Sequence, residues 1–61
     1  MTKERENQGK FHHTNGKIHE EKGELKKAED EYAAALAFDP DNDEYVKDYE
    51  RVKELNSKQN K

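Results

Sequence analysis

Cysteine and tryptophan are absent, proline occurs once, and no apolar run approaches the length of a bilayer. Without cysteine there is no disulfide staple, no thiolate metal site and no thiol nucleophile. Large aliphatic and phenylalanine side chains are scarce: the 61 residues hold only Phe11, Ile18, Leu25, Leu36, Phe38, Val46, Val52 and Leu55. Apolar residues of every kind amount to 28%, a range in which disorder competes with folding. A chain this short and this polar buries only a thin core. It cannot wall off a pocket in which two carboxylates are pushed to different pKa values, so an enzyme is not expected. The N-terminal stretch, residues 1–7, lacks the apolar segment of a secretory signal. With no membrane-spanning run either, a cytoplasmic protein is expected.

What the chain has in abundance is charge, 44% of its residues. The signs nearly cancel, 12 basic against 15 acidic side chains, for a net −3. Residues 1–27 carry seven basic and five acidic groups, net +2, and residues 28–61 carry five and ten, net −5. Lys26 and Lys27 are the only adjacent basic pair, which argues against a nucleic-acid face. Binding to a membrane surface would need an amphipathic helix with a basic polar side, and none is present.

Helical periodicity organises the rest. The first predicted helix covers residues 8–22, with Phe11 and Ile18 as its large apolar residues and Asn15 and His19 on nearby faces. Gly23 closes it, since glycine tolerates the left-handed conformation of a helix terminus. Gly16 costs the helix about 1 kcal/mol against alanine, which suggests that another backbone approaches there. The second helix, 24–38, repeats Leu25, Ala28, Tyr32, Ala35 and Leu36 at spacings of three and four and ends before Pro40. Asp41 to Glu44 then reads as an N-cap cluster. The third helix, 43–56, shows a single stripe of Tyr45, Val46, Tyr49, Val52 and Leu55, with an Asp43–Lys47 pair four apart. Residues 1–8 and 57–61 are expected to be flexible tails. Short connections make neighbouring helices antiparallel, and no segment alternates as a strand would. The expected fold is all-α: a helical hairpin followed by a third helix.

The 34 residues 9–42 resemble one tetratricopeptide repeat. Gly16, Gly23, Ala28, Tyr32, Ala35–Leu36 and Asp39–Pro40 stand in the family's order and spacing. The resemblance covers just over half the chain. It departs in the first helix, where His12, Asn15 and His19 replace the usual large apolar residues. It departs again in the third, which has Glu50 at a small position and Lys53 at an aromatic one. The third helix resembles the polar cap that ends such arrays. The resemblance implies a protein–protein interaction module or scaffold whose first helix lines a peptide groove. Lys10, His13, Thr14 and Lys17 would be its contacts, and an acidic C-terminal tail, as held by co-chaperones of this family, would be a fitting partner. The alternative is a purely structural unit without a ligand: a minimal or engineered repeat, or a terminal piece of a longer array, self-associating through its open side. His12 and His19, seven apart, lack the spacing of a helical zinc pair and are expected to pack half-buried beneath the second helix. No cofactor, metal, nucleic acid or membrane is expected.

Overall fold

The computed structural model describes residues 3–59, which form three helices, α1 (Lys3–Glu21), α2 (Leu25–Phe38) and α3 (Asp43–Gln59). Among the described residues there is no strand, so the fold is all-α. The polar stretch expected to be a flexible N-terminal tail is helical from Lys3. Glu4 and Glu6 stand in its first turn, where acids suit the positive end of the helix dipole. Likewise α3 runs past Asn56 to Gln59, through residues expected to be tail. The outermost tail residues, 1–2 and 60–61, lie outside the described residues.

The turns follow from local chemistry. Gly23 has φ +81°, and the backbone N–H groups of Gly23 and Glu24 donate to the carbonyls of Glu20 (3.0 Å) and His19 (2.9 Å). That pair of bonds is a Schellman closure, which satisfies carbonyls the helix end leaves open. Glu24 is the N-cap residue of α2, and its side chain makes no capping bond; its carboxylate accepts from His19 Nδ1 at 2.7 Å instead. At α3 the cap is Asn42, whose Oδ1 accepts from the N–H groups of Glu44 (3.0 Å) and Tyr45 (3.2 Å). The Asp43–Lys47 pair does not close; among the described residues the only i,i+4 ion pair is Lys58–Glu54, at 3.8 Å.

Helix α2 is the centre of the molecule. Early α1 meets late α2, since Gly9 lies against Ala35 and Asp39, and His19 meets Glu24 at the other end. Helix α3 packs on α2 in the same antiparallel sense, with Asn56 Nδ2 donating to the Leu25 carbonyl at 3.0 Å. So α1 and α3 run parallel to each other on α2, the pattern set by two short connections. The apolar core is Ala28, Tyr32 and Val52, all fully buried, with Leu25 and Tyr49 packed against it. Phe11 and Ile18 take no part: they are 59% and 45% exposed. The α1 residues that face inward are Gly9, His13 and Gly16. Tyr45 is buried, while Leu55 faces solvent and the stripe of α3 continues inward through Asn56.

Gly16 explains the close packing. A Cβ built there would fall 2.6 Å from Cδ1 and Cε1 of Tyr32. An aromatic ring occupies the space, where the sequence suggested a backbone. Tyr32 is completely buried and its hydroxyl donates to Glu20 Oε1 at 2.8 Å, so the ring has little freedom to retreat. Gly16→Ala gains about 1 kcal/mol of helix propensity but overpacks the core by about 1–3 kcal/mol. A lower thermal midpoint is expected for this variant by far-UV circular dichroism, and an unchanged or higher one would mean the ring shifts freely. Asn42→Ala should cost about 1 kcal/mol through the lost cap, read in the same melt.

Candidate functional site

Three histidines on α1 each meet a carboxylate. His12 Nδ1 donates to Glu31 Oε1 at 2.8 Å, and its ring stacks on Phe38 with centroids 5.8 Å apart. His19 pairs with Glu24 as above. Both are half-buried against α2, as their spacing suggested. His13 differs: its side chain turns inward and its Nε2 donates to Asp48 Oδ2 at 2.6 Å. A carboxylate can only accept, so Nε2 carries the proton in this pair. The ring lies between Tyr45 (4.5 Å) and Tyr32 (5.5 Å). His13 is therefore held within the fold and is not part of an open groove face. Lys10, Thr14 and Lys17 are exposed on α1, and helical spacing puts them on one strip.

Around His13 a chain of polar groups crosses all three helices. Asp48 Oδ1 accepts from Arg51 Nη1 at 2.8 Å. Arg51 reaches over to α1, with Nη2 to Glu20 Oε1 at 2.7 Å and Nε to Glu20 Oε2 at 3.1 Å. This is the two-pronged guanidinium–carboxylate geometry that fixes direction as well as charge. Glu20 also accepts from the Tyr32 hydroxyl. The connected set is thus His13, Asp48, Arg51, Glu20 and Tyr32, and among the described residues no buried side-chain nitrogen or oxygen lacks a partner.

The arrangement shifts several titrations. The Arg51 hydrogen bonds hold the Glu20 carboxyl below its ordinary value, against a smaller upward push from burial. Burial pushes Asp48 up, but the bonds from His13 and Arg51 together outweigh it and its pKa is lowered. Burial and then the Glu20 bond raise the Tyr32 phenol, so it stays a donor. Burial also raises Tyr45, helped by the charges of Asp39 and Glu44. The bonds to Glu20 and Asp48 raise Arg51, which remains a cation.

Elsewhere the surface offers less. An open cleft of about 650 Å³ lies between the start of α2 and the end of α3, lined by residues including Glu24, Leu25, Lys27, Lys53 and Asn56. Asn56 bonds Glu29 Oε1 at 2.7 Å there, and charges of both signs line it. Among the described residues no helix is long and apolar enough to cross a membrane. Sequence reasoning singled out neither Asp48 nor Arg51. Their three-residue spacing on α3 was the visible signal, but their partners His13 and Glu20 lie more than thirty residues away. Compared with known proteins, the chain matches no family model, no curated protein and no solved structure.

A group whose folded pKa is depressed contributes stability that is complete above its unfolded value and is lost as pH falls through the folded one. For Glu20 and Asp48 the ordinary values are 4.5 and 3.8. Their contribution should therefore be constant above about pH 5 and decline below about pH 4. Thermal melts across that range should show the loss, and Glu20→Gln should flatten it. An equally steep acid decline in Glu20→Gln would place the sensitivity elsewhere.

Proposed function

We propose that the chain is a protein–protein interaction unit, a tetratricopeptide-like hairpin capped by α3, that holds a partner peptide or helix against the outer side of α1. The observation that carries this reading is the exposure of Phe11 and Ile18. They are two of only eight large aliphatic or phenylalanine side chains in the chain, yet they lie outside, two turns apart on one helix. Burying such side chains is worth roughly 1.5–3 kcal/mol each, and the core forgoes that gain. Lys10 and Lys17 each precede one of them in sequence, so a basic strip runs beside the apolar one. A partner segment with apolar anchors and carboxylates, such as an acidic tail, complements both strips. Thr14, between the lysines, offers a hydroxyl. The mechanism is recognition by contact and charge with no bond made or broken, and a cytoplasmic setting belongs to the same reading.

Two exposed cations at about 0.2–1 kcal/mol each set the expected effect. Lys10→Ala with Lys17→Ala should weaken capture of an acidic peptide bearing a leucine or phenylalanine anchor by about two- to thirtyfold. Helicity should be unchanged, and added salt should act in the same direction. Fluorescence anisotropy with a labelled peptide is the measurement. Unchanged affinity, together with a melting midpoint that rises with protein concentration, would reassign this side of α1 to self-association.

A further inference from the structure

One imidazole nitrogen of His13, one oxygen of Asp48 and one oxygen of Glu44 lie within 4.8 Å of one another. We propose that these three residues form a binding site for a divalent transition ion of the zinc class, which clips α1 to α3. Glu44 and Asp48 are four apart on α3, so their carboxylates share one side of the helix, and His13 faces them from α1. One imidazole with two carboxylates is a mixed nitrogen–oxygen donor set. That suits zinc-like ions better than magnesium or calcium, which prefer oxygen alone.

The surroundings favour a cation. Arg51 pairs with the carboxylates of Glu20 and Asp48, and Glu44 adds a further negative charge beside Asp48 and His13. Arg51 occupies Oδ1 of Asp48 and His13 meets Oδ2, so the guanidinium orients the carboxylate, and Oδ2 is freed for an ion when the His13 proton leaves. The Tyr45 ring against His13 fixes the imidazole in place. Glu44 is exposed, which provides an entry path and room for water as a further ligand. On binding, the ion takes the Nε2 lone pair of His13, and the proton now shared with Asp48 leaves to solvent. Bond lengths of about 2.0–2.2 Å place tetrahedral ligand atoms roughly 3.3 Å apart. The 2.6 Å His13–Asp48 approach widens by less than about 1 Å, and Glu44 closes in. His12 and His19 serve as internal controls, since each meets a single carboxylate.

The test is a Zn²⁺ titration of the full chain by calorimetry, with the three histidine imidazole signals followed by nuclear magnetic resonance. A single saturable site is expected, with His13 shifting ahead of His12 and His19 and no comparable uptake of Mg²⁺. Glu44→Gln should weaken binding at least about tenfold and leave the metal-free melt nearly unchanged, because the side chain is exposed and makes no interhelix bond. The proposal is overturned if His12 or His19 responds first, if Glu44→Gln binds as tightly as the parent, if Mg²⁺ competes equally, or if uptake does not saturate by about millimolar Zn²⁺.

Discussion

The hydrogen bond from His13 to Asp48 ties the first helix to the third, and the arrangement of the molecule turns on it. Helices α1 and α3 each rest on α2, and between them the buried Tyr45 ring lies against Gly9 and His13. The directional links between them are polar: His13 to Asp48 near the middle, and Arg51 to Glu20 one to two turns further on. Both His13 and Asp48 are removed from water, at 8% and 9% exposure. A buried carboxylate is costly unless its oxygens are filled. Here His13 and Arg51 fill them, so the packed arrangement is the one in which the Asp48 charge is satisfied. A displaced α3 would carry Asp48 away from His13, while Arg51, three residues along the same helix, would stay with it. Directional bonds thus supply specificity that a thin apolar core does not.

The core itself is built around one ring. Tyr32 and Val52 are the largest fully buried side chains, and the other buried apolar groups are mostly alanine. Tyr32 fits because Gly16 gives it room, and its hydroxyl reaches Glu20, itself held by Arg51. The apolar contact and the polar chain are therefore one construction: the ring fills the space between α1 and α2, and its oxygen feeds the bonds that bring α3 into register. Coupling of this kind makes the groups act together, so that loosening the ring also loosens the Glu20–Arg51 link.

The same economy shapes the outside. With glycines and histidines facing α2, the large apolar residues of α1 are displaced to its outer side, where Phe11 and Ile18 lie beside Lys10 and Lys17. The inner side of α1 is specialised for close approach and hydrogen bonding, and the outer side keeps the apolar area. The proposed partner surface and the proposed metal site thus occupy different sides of α1. The first uses side chains the fold has left free, and the second uses groups that the fold has drawn together.

How much of this was legible differs from element to element. The three helices, the Gly23 closure, the stop before Pro40 and a cap within Asp41 to Glu44 are local matters, decided by propensity and by hydrogen bonds within a few residues, and the sequence revealed them; that Asn42 is the cap came from the structure. Boundaries were less legible: α1 and α3 continue through polar residues that carry no apolar signal. The half-burial of His12 and His19 was foreseeable from spacing. The burial of His13 was not, since helical spacing groups it with Lys10 and Lys17 and it is drawn inward by Asp48, thirty-five residues later. Nor could the sequence tell that the partner of Gly16 is an aromatic ring, or that Phe11 and Ile18 would stay outside. Short-range chemistry determined that this chain is a hairpin and a third helix. Only the tertiary structure decided which side of α1 faces in, because that choice depends on long-range pairing of buried charges, and such pairing leaves no periodic trace in a sequence.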